Sequence, residues 1–178
     1  MKIIFMGTPD FSVDCLKALV ESKHEVVGVF CQPDKPVGRK QELTPPDVKV
    51  EALKHNLKIF QPTSLKNGKG VEILEEIKPD LVVVVAYGKI LPHDFLVYPK
   101  YGCINIHASI LPKYRGASPI HFAVLNGDEE TGVTAMQMDD GLDTGDILHI
   151  KKCPIGINDT TERMYEVMAP LGAETLME

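Results

Sequence analysis

Residues 103 to 116 read CINIHASILPKYRG and carry an amide and an imidazole two positions apart, Asn105 and His107. In an extended strand, side chains two apart share a face, so both project the same way. The strand is expected to run to about Ser109, which puts the pair at its C-terminal end, where open α/β sheets bind ligands. An amide can donate to a developing oxyanion, and an imidazole can give or take a proton near neutral pH. The pair suits attack on a carbonyl.

A second cluster, DDGLDTGD at 139 to 146, lies between two apolar runs. A carboxylate near His107 would pair with the imidazolium and orient the ring, but spacing alone does not choose among these aspartates. The cluster is also an ordinary Asp/Gly turn. It lacks the bidentate glutamate and ligand register of a calcium loop, and no metal is expected. Ser109 sits in ASI without the flanking glycines of a nucleophile elbow, so it reads as a turn residue. His24, His55, His93, His121 and His149 have no comparable neighbours. GTPD at 7 to 10 is not a GxGxxG fingerprint, and no GxxxxGK[ST] loop is present.

These groups need a scaffold, and short apolar runs alternating with helical periods supply an α/β one with a mainly parallel sheet. Strands are expected at 2–6, 25–31, 57–60, 80–86, 102–108, 131–138 and 147–153. DLVVVVA at 80–86 is apolar enough to be buried on both faces. Helices are expected after Asp10 or Ser12 as N-cap, over 47–56, around Val71, Leu74 and Ile77, and from Ser118-Pro119 to about Asn126. Asp159-Thr-Thr-Glu162 resembles a capping box opening a last helix. Residues 32–46 hold four prolines and read as a long loop, a length that is usually functional. No repeat or internal linker is evident.

The chain has 178 residues, 44% hydrophobic and 25% charged, with a formal net charge of −6. That is one ordinary globular domain, able to bury about 70% of its unfolded surface without a disulfide or metal staple. No apolar run approaches the roughly 18 residues of a membrane span, and the first apolar run is too short for a signal peptide, so a cytoplasmic location is expected. Cys15, Cys31, Cys103 and Cys153 are widely spaced and read as buried thiols. The 25 carboxylates against 19 Lys and Arg argue against a surface that binds nucleic acid everywhere. Basic character is local instead, at Lys35, Arg39 and Lys40, and at Lys113 and Arg115, whereas 128–146 carries no basic residue. The sequence stops within a helical pattern, without a Gly or Pro stop signal, and so reads as truncated.

Asn105-x-His107-x-Ser109-x-Leu111-Pro112-x-x-Arg115-Gly116 with Asp143 in GLDTGD resembles the formyltransferase family that uses 10-formyltetrahydrofolate. GTPDF at 7–11, QPDKPVGR at 32–39, VVAYGKILP at 84–92 and GVTAMQMDDGLDTGD at 132–146 look most like its members that act on methionyl initiator tRNA. The resemblance implies a Rossmann-like mixed sheet with helices on both faces, and one catalytic domain over 1–178. It further implies formyl transfer to the methionyl α-amine in translation initiation; separately, a monomer is expected. Asn105, His107 and Asp143 match the family's catalytic trio. Ser109, Ile110, Leu111 and Pro112 match its folate-binding segment, with Ile110 where leucine is commoner. Arg39 matches its loop for the tRNA acceptor stem. Full-length members look like two-domain proteins whose second, β-barrel domain helps hold tRNA, and no such domain is in this sequence. Other acceptors remain open: glycinamide ribonucleotide, an amino-sugar nucleotide, or water in a folate-hydrolysing domain. A folate-binding fragment inactive on tRNA is the remaining alternative.

Overall fold

A computed structural model describes residues 1–178. Its strands are β1 (Lys2–Gly7), β2 (Glu25–Phe30), β3 (Lys35–Val37), β4 (Glu42–Thr44), β5 (Ile59–Phe60), β6 (Leu81–Val85), β7 (Cys103–His107), β8 (Glu130–Gln137) and β9 (Ile147–Pro154). The helices are α1 (Val13–Glu21), α2 (Asp47–Lys54), α3 (Lys69–Ile77), α4 (His93–Val97), α5 (Pro119–Leu125) and α6 (Thr161–Met177).

Seven strands form one sheet in the order β5-β2-β1-β6-β7-β8-β9. The first four pairings, from β5 to β7, are parallel, while β8 runs antiparallel to both β7 and β9. All five residues of β6, LVVVV, are buried, as a central strand covered on both faces requires. Alternation along β1 and β6 divides the apolar side chains between two cores. Ile3, Phe5, Val83 and Val85 face the core completed by Leu16 and Leu19 of α1, Val48 and Ala52 of α2, and Met164 and Met168 of α6. Ile4, Met6, Val82 and Val84 face the core completed by Leu74 of α3 and by Phe95 and Leu96 of α4. Helices therefore cover both faces, and the expected Rossmann-like mixed sheet is the observed one.

Several local expectations need correction. Residues 32–46 are not all loop, because β3 and β4 form a separate antiparallel hairpin there. Pro36 is tolerated in β3 because a two-stranded ribbon leaves its outer side unpaired. Helix α4 leaves no mark in the sequence pattern, because its five residues are too few to show a helical period. Ser12 occupies the N-cap position of α1, but its hydroxyl donates to the Val85 carbonyl at 2.6 Å and ties the helix start to the end of β6. In α6 the cap is Thr160, whose Oγ1 accepts from Arg163 N, so the expected Asp159–Glu162 box does not form. Asp159 instead accepts from Gly156 N at 2.6 Å.

All four thiols are buried. Burial pushes Cys15 and Cys103 up to about 12 and Cys31 up to about 11. No helix is long and apolar enough to cross a membrane.

Candidate active site

Along β7 the residues alternate between the two cores. Ile106 packs into the α1/α6 side and Cys103 into the α3/α4 side. Asn105 and His107 share the face of Cys103, as period two demands. The strand ends at His107, two residues earlier than expected, and Ser109 lies in the turn that follows.

Asp143 reaches this pair from the β8–β9 loop. Its Oδ1 accepts from Asn105 Nδ2 at 3.3 Å, its Oδ2 accepts from the Gly116 amide at 2.7 Å, and Oδ2 lies 3.5 Å from His107 Nδ1. The side chains of His107 and Asp143 are only 8% and 11% exposed, so little water screens their contact. The other ring nitrogen of His107, Nε2, is 2.8 Å from the Tyr114 carbonyl. A carbonyl only accepts, so Nε2 carries a proton and Nδ1 is the nitrogen facing Asp143.

The loop that delivers Asp143 is itself tied down. Asp139 Oδ1 accepts from Gly141 N at 3.0 Å and from the Thr144 hydroxyl at 2.7 Å. The Thr144 bond, followed by the Gly141 amide, holds the Asp139 carboxyl below its usual range. Asp140 pairs with His93 at the start of α4 at 2.9 Å, and Arg115 Nε donates to the Asp143 carbonyl at 3.0 Å. Gly145 lies so close to Gln137 that a Cβ there would run into the Gln137 carbonyl.

Asn105, His107 and Asp143 line a cavity of about 580 Å³, a size that suits a small-molecule ligand. Its walls are Pro9 and Phe11 after β1, 86–91 after β6 and 116–120 after β7, all following the C-terminal ends of parallel strands, together with 138–143 after the antiparallel β8, a loop that reaches back to Asn105 and Gly116. Tyr165 of α6 closes one side, edge-on to Phe11. Strand order reverses between β1 and β6, so the cavity sits at the crevice where this topology is expected to bind ligands. Ala86, Ser118 and Asp143, all in its wall, have left-handed backbone at φ 48°, 59° and 52°. Such strained non-glycine residues gather at functional sites. No group of three or more His, Cys, Asp or Glu side chains is placed to hold a metal ion.

Of the residues singled out by sequence, the structure brings Asn105, His107 and Asp143 together. It does not bring Ser109, Ile110, Leu111 or Pro112 to the cavity wall. Ser109 is fully buried; its hydroxyl donates to the Lys113 carbonyl at 2.6 Å, and its carbonyl accepts from Thr134. Arg39 is exposed in the turn between β3 and β4. Phe11, Tyr87, Ile90, Met138 and Tyr165 also line the wall, and no sequence pattern marks them as wall residues. The usable signal for 86–91 was its place directly after the most buried strand.

The class of protein follows from family comparison. The chain belongs to the formyl transferase family, whose model matches residues 1–178. Its relatives carry a narrower name. The methionyl-tRNA formyltransferase of Alkaliphilus oremlandii is 52% identical over 176 residues, covering 99% of this chain and 57% of that protein. The methionyl-tRNA formyltransferase of Hydrogenovibrio crunogenus is 54% identical over 177 residues, with the same coverage of each. The chain thus spans a little over half the length of these relatives. Among solved structures, glycinamide ribonucleotide transformylase 1 from Symbiobacterium toebii superposes with a TM-score of 0.80 at 19% identity, covering 99% of this chain and 82% of that one. A formyltetrahydrofolate deformylase from Pseudomonas syringae pv. tomato gives 0.80 at 22% identity, covering 99% of this chain and 58% of that one. At these identities the likeness is one of fold.

Proposed function

We propose that residues 1–178 act as the catalytic domain of a methionyl-tRNA formyltransferase, moving a formyl group from 10-formyltetrahydrofolate to the α-amine of methionyl initiator tRNA. The observation that carries the reading is the closed set Asn105, His107 and Asp143 at the wall of one cavity. Relatives about 50% identical over this whole length, all named for that activity, support the acceptor. The reading makes the protein a cytoplasmic participant in translation initiation.

The cavity suits the donor on its own chemistry. Tyr87, Ile90, Leu91, Leu96 and Met138 give it apolar walls for a flat heterocycle, while the 139–143 backbone and Asp143 supply polar groups at one side. Bound there, the donor supplies an activated one-carbon acyl group. Ser109 to Pro112 serve the donor in this account by fixing the loop behind His107, since Leu111 N and the Ser109 carbonyl both engage the Thr134 hydroxyl on β8.

Asn105 Nδ2 and a proton on His107 Nδ1 face the position where the formyl oxygen gains charge as the amine adds. Asp143 holds both groups through its two carboxylate oxygens, and it is placed to accept the proton that the attacking amine loses. As the new amide bond forms, the carbon–nitrogen bond to the donor breaks, and that nitrogen takes the proton back. No side chain need form a covalent bond.

Incubating the chain with 10-formyltetrahydrofolate and charged initiator tRNA tests the reading. Formylmethionyl-tRNA should accumulate in proportion to enzyme. Donor binding without any formylated tRNA would refute the acceptor assignment.

A further inference from the structure

Behind His107, on the side away from the cavity, lies a hydrogen-bonded chain that the proposed reaction leaves unused. We propose that Tyr114 is a positioning residue for His107, braced by Asp128 and Asn126, and that it decides which ring nitrogen faces the reacting groups. The inference rests on the formyl-transfer reading for its consequence in turnover, but not for its geometry.

The last link is the 2.8 Å contact from His107 Nε2 to the Tyr114 carbonyl. No strand or helix fixes that carbonyl. Tyr114 lies in a turn with φ 56°, a left-handed backbone that a tyrosine adopts only when its surroundings enforce it. Its side chain provides the restraint. The hydroxyl donates to Asp128 Oδ2 at 2.8 Å and accepts from Asn126 Nδ2 at 2.9 Å, while the ring stacks on Phe122 of α5. The other Asp128 oxygen meets Lys113 Nζ at 2.8 Å, so one carboxylate grips two successive residues of the turn. Lys113 and then the Tyr114 hydroxyl hold the Asp128 carboxyl below its usual range. Ser109 adds a second anchor through the Lys113 carbonyl.

The α5–β8 connection is thereby coupled to the imidazole through Asp128, the Tyr114 hydroxyl, the Tyr114 carbonyl and His107 Nε2. Removing the carbonyl's restraint frees Nε2 to lose its partner, and the ring can then turn Nδ1 away from Asp143. An outer partner of this kind orients a histidine without touching substrate.

The test uses the 178-residue chain labelled with ¹⁵N at histidine, with solvent exchange of the His107 Nε2 proton followed by NMR. In Tyr114→Phe that exchange should quicken about five- to tenfold, the equivalent of one hydrogen bond. The kcat for transfer should fall by a similar factor, with donor Kd unchanged. Asp128→Asn keeps an acceptor for the hydroxyl and should stay near wild type, whereas Asp128→Ala should behave like Tyr114→Phe. Unaltered Nε2 exchange in both Tyr114→Phe and Asp128→Ala would overturn the proposal. Should Tyr114→Phe fail to fold, the Asp128 pair decides alone. Faster exchange in a chain that formylates no tRNA would sink the reaction reading and leave the positioning role standing.

Discussion

Between β7 and the β8–β9 loop, the side chains of Asn105, His107 and Asp143 each have a polar partner and lie against buried walls. The β3–β4 hairpin is built the opposite way: all six of its strand residues are exposed, and Arg39 and Lys40 stand open to solvent in its turn. Only its base is gripped, where Asp34 meets Lys49 at 2.9 Å and accepts from Gln61 at 2.7 Å. Those two contacts, Gln61 first, hold the Asp34 carboxyl below its usual range. A reacting group must be held to a fraction of an ångström, so it sits on strand ends with its own supports. The hairpin is held apart from the seven-stranded sheet and leaves its cations free to solvent.

The comparison breaks most sharply at Asp143. Asp143→Ala removes the acceptor for Asn105, for Gly116 and for the His107 side of the site together. Its kcat for formyl transfer should fall roughly 10²- to 10⁴-fold, measured at saturating donor. A loss under threefold would mean that the tight wiring is structural only.

Two glycines sharpen the contrast. Gly145→Ala pushes a methyl into the Gln137 carbonyl beside the Asp143 loop and should cost about 1–3 kcal/mol in denaturant unfolding, with reduced transfer. Gly38→Ala, in the hairpin with φ 72° and nothing nearby, should cost only about 1 kcal/mol of backbone strain and leave transfer chemistry unchanged. Equal effects at the two positions would erase the distinction between a packed loop and a free one.

Smaller again is the effect of Arg39→Ala. We propose that Arg39 supplies one exposed cation to the tRNA acceptor stem; its loss should then raise the KM for methionyl-tRNA severalfold and reduce the salt dependence of binding by about one unit of slope, with donor binding unchanged. An unchanged KM would remove the hairpin from acceptor recognition.

Much of this was legible in the sequence, and the exceptions have physical causes. The uniform apolarity of 81–85 marks a strand buried on both faces, and the shared face of Asn105 and His107 follows from period two; both hold in the structure. Asp143 could not be told from its neighbours by spacing, because position in a loop says nothing about which carboxylate turns inward. Resemblance chose it, and the distances to Asn105 and His107 show what that choice means physically. The hairpin is not legible in the sequence because three-residue exposed strands have no buried face to leave an apolar pattern. The Tyr114 carbonyl was invisible for a deeper reason: every residue has a carbonyl, and only the fold aims one at an imidazole.

The measurement that tests the central claim most directly is formyl transfer to methionyl initiator tRNA by the wild-type chain and by His107→Ala, side by side, with donor affinity titrated in both. The account predicts equal donor binding and transfer reduced at least about 100-fold in the variant. Near-normal turnover by His107→Ala would contradict it.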